Sequence, residues 1–327
     1  MVDHYKPKPG KAPKTNNANA IGVVIAVHGR HYLVQAMVDG VSLKLHCVTR
    51  GKKSDVAVGD NVNLNMTSQN QAVIESIGER HSLLYRSDQY KSKLLAANVS
   101  QLFIVVATEP SFSDNFISRA LVAAEAVGVQ AHIILNKTDI TASLPRTRER
   151  LLPYANLGYP IHEVSAMGLP EQTCATLIPL LEGQSTILIG QSGMGKSSLI
   201  NLIVPDAVIA TREISAALDT GKHTTTFTRL YEVNPTANDE TYIIDSPGFQ
   251  EFGLYQLSEG MLERAFREFE PFLGKCKFYN CHHLIEPSCA VLEAVQENKI
   301  APMRHQLYKQ ILHESSQILY SHLTGKR

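Results

Sequence analysis

At 327 residues and 44% hydrophobic, the chain can hold two or three domains with real cores, which excludes disordered and fibrous classes. Its 31 basic residues cancel its 31 acidic ones, so overall charge gives no sign of nucleic-acid binding and any basic surface must be local. No apolar run reaches the roughly 18 residues of a membrane span, and the first twenty residues lack the apolar core of a secretory signal, so a cytoplasmic protein without membrane contact is expected.

Residues 1–20 place Lys6, Lys8, Lys11 and Lys14 among Pro, Gly and Asn, with almost nothing to bury, and read as a disordered basic arm. From residue 21 to 82 the pattern changes to short β-rich runs: IGVVIAV, HYLVQAM, VSLKLHCVT, DNVNLNM and QAVIESI. Turn signals at His28-Gly29, Asp39-Gly40 and Gly59-Asp60 divide them. Five such runs predict a small barrel, an OB-fold ahead of an SH3-like barrel. The loop after the third run carries Arg50, Lys52 and Lys53, compatible with RNA phosphate contact and equally with an ordinary solvated loop. A polar, basic connector, Arg80 to Lys93, follows.

Residues 83–255 then alternate strand and helix signals, the pattern of an α/β doubly wound sheet. Strands are predicted at QLFIVVA (101–107), AHIIL (131–135) and Ile161 to Val164, and helices at Phe116 to Val127, Arg146 to Leu157 and Glu171 to Leu181. Directly after AHIIL stands Asn136-Lys137-Thr138-Asp139. A carboxylate at Asp139 can accept from both N1–H and the exocyclic amine of guanine, a pattern adenine does not present. Asn136 would tie this loop to a phosphate loop, and the Lys137 stem would cover the base. Ser165-Ala166, at the next strand end, fits a small-residue loop whose backbone N–H meets the guanine oxygen.

The stretch Gly190-Gln191-Ser192-Gly193-Met194-Gly195-Lys196-Ser197-Ser198 matches G-x-x-x-x-G-K-[ST] between an apolar strand and a plausible helix. Glycines let successive N–H groups turn inward on phosphates, Lys196 adds a full charge, and Ser197 offers a hydroxyl to Mg²⁺. GKHTTT (Gly221 to Thr226) and the strand TYIID, ending Asp245-Ser246-Pro247-Gly248, supply two nucleotide-sensing switches. Asp245 can hold Mg²⁺ through water, and the Gly248 N–H can reach the γ-phosphate. One of Thr224, Thr225 and Thr226 completes the Mg²⁺ shell; spacing does not choose, and Thr225 is carried as the candidate.

The base loop precedes the phosphate loop, the reverse of a Ras-like GTPase, so the domain is circularly permuted. The chain therefore leaves the nucleotide domain just after the element that responds to the γ-phosphate. Phe249 follows D-x-x-G where Ras-like enzymes keep a water-orienting glutamine, so slow intrinsic turnover is expected, with His223 the nearest candidate to orient or deprotonate water.

Over residues 256–327, Cys276-x4-Cys281-x-His283-x5-Cys289 offers three sulfurs and one imidazole, a closed tetrahedral shell for a structural Zn²⁺; His282 could replace His283. Flanking helices are expected at Met261 to Leu273 and Met303 to Leu323. Together the barrel, NKTD ahead of GQSGMGKSS, GKHTTT, DSPGF and CKFYNCHHLIEPSC resemble the RsgA (YjeQ) family of circularly permuted bacterial GTPases, from about residue 21 to about 320. The resemblance implies zinc at Cys276, Cys281, His283 and Cys289, and a switch histidine at His223. It implies GTP hydrolysis stimulated by the small ribosomal subunit, contact with its rRNA, and a role in late subunit maturation with release of assembly factors, by a protein expected to be a monomer. A permuted GTPase of the large subunit, or a GTP-dependent RNA-binding switch with negligible hydrolysis, are the alternatives. A small-molecule kinase is disfavoured by NKTD.

Overall fold

The computed structural model describes residues 19–51, 55–88, 91–207, 228–233, 240–247, 254 and 256–324, with backbone alone at 87–88, 91–92 and 316–324. The basic arm up to residue 18, Lys52, Lys53, the switch segment with His223 and Thr224 to Thr226, and Gly248 to Gln250 lie outside the described residues.

The β-rich runs form β1 (Asn19–His28), β2 (His31–Val38), β3 (Val41–Thr49), β4 (Asn61–Ser68) and β5 (Gln71–Ile77). They pair in the order β1-β2-β3-β5-β4, and β4 returns to β1, closing a five-stranded barrel of OB-fold type. Alternate side chains, among them Val24, Tyr32, Val34, Leu45, Val62 and Leu64, fill its interior. Asp60, wholly buried at its rim, is held by Arg80 at 2.7 Å from each carboxylate oxygen and accepts from the Ala57 N–H. Arg50 pairs with Glu75 at 2.6 Å.

The stretch expected to be a connector is instead a hairpin, β6 (Leu83–Asp88) and β7 (Lys91–Ala97). Its strand character comes from tertiary burial: Leu84, Leu95, Ala96 and Ala97 are buried, and the Ala97 N–H donates to the Val58 carbonyl of the barrel.

Next come β8 (Gln101–Ala107), α1 (Asp114–Ala126), β9 (Gln130–Asn136), α2 (Leu144–Asn156), β10 (Ile161–Glu163), α3 (Pro170–Leu181), β11 (Ser185–Ile189), α4 (Lys196–Ile203), β12 (Arg229–Glu232) and β13 (Tyr242–Asp245). Continuous apolar runs make β8, β9 and β11 strands buried on both faces, as a parallel sheet requires. The strand order is β10-β9-β8-β11-β13, all parallel, followed by antiparallel β12. The chain runs outward from β8 through β9 to β10, then returns to the other side of β8 as β11. The crevice beyond the carboxyl ends of β8 and β11 is therefore the topological switch point where such sheets bind ligands. β12, which no local signal announced, pairs with both β13 and β1, so barrel and nucleotide sheet share one eleven-stranded sheet.

The C-terminal lobe holds α5 (Glu259–Arg264), a 3-10 turn (Arg267–Phe272), α6 (Ala290–Gln296) and α7 (Pro302–Thr324). The helix expected across Met261 to Leu273 breaks at Phe266, whose backbone is extended, and Pro271 helps keep the second half a tight turn. Phe266, Phe269 and Tyr308 join the core cluster of the nucleotide sheet rather than forming a core of their own. Arg304, 1% exposed, makes a buried pair with Glu268 at 2.6 Å. No helix among the described residues is long and apolar enough to cross a membrane.

Candidate nucleotide site and metal centre

The switch point gathers four loops. The phosphate loop follows β11 and turns on glycines with positive φ: 82° at Gly193 and 93° at Gly195. Close approach also demands glycine. A Cβ on Gly190 would lie 2.4 Å from the Val105 carbonyl oxygen, and one on Gly195 would lie 2.2 Å from Asn136 Nδ2. Lys196 is buried, and its Nζ donates to the carbonyls of Gly190 (2.6 Å) and Gln191 (3.2 Å). Burial pushes its pKa down, against an opposing pull from Asp245. Ser192, Gly193 and Ser197 are exposed, and Ser198 is half-buried.

NKTD lies at the end of β9. The Asn136 amide donates to the Met194 carbonyl (3.0 Å) and its oxygen accepts from the Ala166 N–H (3.1 Å), so one buried side chain joins this loop to both the phosphate loop and the 165–168 turn. Lys137 spans the mouth, donating to the carbonyls of Glu109 (2.9 Å) and Gly193 (2.8 Å). The Thr138 hydroxyl donates to the Val164 carbonyl at 3.0 Å. Asp139 is exposed, with the Ser165 hydroxyl hydrogen-bonded to its carboxylate. A Cβ on Gly168 would meet Asp139 Cγ at 2.7 Å, so the turn wraps closely over this carboxylate. The N–H groups of Ser165 and Ala166, expected to face a guanine oxygen, here donate to Thr173 Oγ1 and Asn136 Oδ1.

Asp245, at the end of β13, is 7% exposed. Burial pushes its pKa up to about 6, outweighing the attraction of Lys196 and Arg229. A carboxylate whose charge is penalised by burial, one strand from the phosphate loop, suits a divalent cation, which the exposed Ser197 hydroxyl could also ligate. Arg229 belongs to this site and carries no motif. It stands opposite Asp245 in the β12–β13 register, and only the pairing of a four-residue strand brings it there.

In the C-terminal lobe the ligand atoms of Cys276, Cys281, His283 and Cys289 lie within 4.8 Å of one another. Separations are 3.8 Å between Cys276 and Cys289 sulfurs, and 3.6 and 3.4 Å from His283 Nδ1 to those two sulfurs. A tetrahedral zinc with Zn–S of about 2.3 Å and Zn–N of about 2.0 Å has edges of about 3.8 and about 3.5 Å, so the donor set fits that ion. His283 Nε2 lies 3.3 Å from Glu263, the carboxylate–histidine arrangement that orients a metal ligand. His282 instead points to Glu259 and is half-exposed, which leaves His283 as the cluster's imidazole. The carbonyls of His282 and His283 accept from Tyr308 and His305 of α7, at 3.1 and 2.7 Å.

Comparison with known proteins places the chain among GTPases of one family. The family model described as RsgA GTPase matches residues 77–255. A protein of Burkholderia pseudomallei named small ribosomal subunit biogenesis GTPase RsgA is 60% identical over 312 residues, 95% of this chain and 98% of that protein. One of the same name from Paraburkholderia xenovorans is 59% identical over 315 residues, 96% of this chain and 98% of its own length. Among solved structures, YjeQ from Thermotoga maritima has a TM-score of 0.65 at 27% identity, covering 91% of this chain and 99% of its own. YloQ, described as a circularly permuted GTPase, has a TM-score of 0.64 at 26% identity, covering 94% and 98%.

Proposed function

The chain belongs to the RsgA GTPase family and is a hydrolase acting on GTP; from that premise we propose that it works in small ribosomal subunit biogenesis, stimulated by that subunit. The observation that carries the reading is the Asn136 side chain, which joins a guanine-type loop to a phosphate loop in permuted order. In this reading Asn136, Lys137, Thr138, Asp139, Ser165 and Ala166 hold the base, and Gly190 to Ser198 with Gly248 hold the phosphates. Ser197, Asp245 and Thr225 hold Mg²⁺, which when bound neutralises phosphate charge. Lys196 keeps the loop carbonyls together until a phosphate takes its ammonium, and His223 orients the attacking water. Zinc at Cys276, Cys281, His283 and Cys289 staples a lobe with little core of its own. The protein acts in the cytoplasm as a monomer. Barrel and zinc lobe contact the subunit and its rRNA, GTP holds the docked state, and hydrolysis to GDP releases the protein together with assembly factors.

The test is GTP hydrolysis by the purified protein, alone and with salt-washed small or large subunits, with ATP as control. Stimulation by the small subunit only is the expected result. Tight GTP binding with no stimulation by either subunit would remove the ribosomal role and leave the nucleotide site. Metal analysis of the same preparation should give one zinc per chain, lost in Cys276→Ala.

A further inference from the structure

The loop between β8 and α1 leans on the phosphate loop. A Cβ on Gly193 would sit 3.3 Å from Pro110, and the Ser113 N–H donates to Gln191 Oε1 at 2.8 Å. The second residue of the phosphate loop is thus committed through its side chain to the N-cap of α1, because Ser113 also caps that helix, its Oγ accepting from the Phe116 N–H at 3.3 Å. About two turns further on, the same helix is gripped by the C-terminal lobe. Arg119, 3% exposed, donates to Glu314 of α7 at 2.7 Å, and Arg304 reaches the Ser118 carbonyl at 3.4 Å. At its last turn Glu125 pairs with Arg267 at 2.6 Å.

Residues Phe116 to Ala124 of α1 are buried throughout, so the helix has little freedom to bend between these two ends. A shift of the phosphate loop at Gln191 must therefore move the N-cap, and with it the Ser118–Arg119 contact, or break one of the two. We propose that Gln191 is a positioning residue through which the C-terminal lobe, acting along α1, sets the nucleotide affinity of the phosphate loop. This route is separate from the chain connection after Asp245, and it rests on reading residues 190–198 as the phosphate loop. Coupling of this kind is reciprocal: what the lobe does to GTP affinity, GTP does to the docking of the lobe.

The experiment is a double-mutant cycle on the full-length protein, with GTP affinity read from a fluorescent GTP analogue and folding checked by thermal melting. Glu314→Ala should weaken binding by about fivefold or more in the natural background. In the Gln191→Met background, where the side chain keeps its length but loses the acceptor, the same change should have no effect. Residues with no shared partner otherwise contribute additively, so equal fold-changes in both backgrounds would overturn the inference. A second reading needs only the unmutated protein. Hydrogen exchange across residues 303–315 should slow when GTP is added, and the response should vanish in Gln191→Met saturated with GTP. An unchanged exchange pattern in the unmutated protein that binds GTP would overturn the coupling alone. Failure of that protein to bind GTP would overturn the phosphate-loop reading as well.

Discussion

Replacing Gly195 by alanine tests the join between the two nucleotide loops directly. The residue has φ of 93°, and the added Cβ would fall 2.2 Å from Asn136 Nδ2. A non-glycine residue held in that backbone region costs about 1–3 kcal/mol. The amide must also move, although Asn136 is 1% exposed and its two bonds, to the Met194 carbonyl and from the Ala166 N–H, hold three loops together. Each such bond is worth about 0.5–1.5 kcal/mol net, so the whole change is about 2–6 kcal/mol. If it falls on the binding-competent arrangement, GTP affinity drops by roughly 30-fold at the low end and roughly 10,000-fold at the high end. Gly183→Ala is the control: its φ is also positive, at 67°, but a Cβ there meets nothing within 4 Å. That variant should lose about 1 kcal/mol of stability and no affinity. Titration with a fluorescent GTP analogue alongside thermal melting separates the two effects. A Gly195→Ala protein that binds GTP within threefold of normal, with a melting shift like that of Gly183→Ala, would refute the argument.

Three further changes probe other parts of the molecule. Exchanging Asp139 for Asn replaces one carboxylate acceptor by an N–H donor, so preference should move from guanine to xanthine nucleotides, which carry a carbonyl in place of the amine; an unchanged preference in a competition assay would take Asp139 off the base. Glu268→Ala leaves the buried Arg304 guanidinium without its carboxylate and should cost about 3–5 kcal/mol in urea unfolding, with Glu268→Gln costing less. Burial, with His162 stacked beside it, holds the His132 pKa down to about 4, so between about pH 6.5 and pH 4 the unfolded chain binds more protons than the folded one. Stability should therefore be full above about pH 6.5 and fall towards pH 4, and His132→Phe should flatten that limb of the acid denaturation curve.

What could be read from the sequence was whatever a short string encodes through its own backbone. The phosphate loop announces itself because its glycines must take positive φ beside neighbouring backbone, and β8, β9 and β11 because strands buried on both faces need unbroken apolar runs. The hairpin β6–β7 and the strand β12 were not legible, since nothing in LLYRSD or RLYE prefers a strand strongly until the barrel and β13 offer partners. The choice between His282 and His283 could not be made from spacing either. It depends on Glu263, twenty positions upstream, receiving one ring nitrogen while the other faces the sulfurs.

The same division explains which parts of the site carry no motif. Asp139, Lys196 and Ser197 are marked by strings because each sits on or beside a loop that can be built locally. Arg229 and Ser113 are not, because only a distant pairing brings each to this crevice. One row of the shared sheet runs from Ala26 in the barrel through Arg229 to Asp245. Asp245, proposed above as a magnesium ligand, thus lies two strands from the barrel. On the opposite flank, α1 carries the phosphate loop at one end and the C-terminal lobe along its side. Both appended units therefore attach to the nucleotide domain through elements that end at the phosphate-binding crevice. The permuted order makes this possible: with the 136–139 loop encoded first, β12 and β13 come last, where the chain has a lobe still to build and a barrel strand to meet.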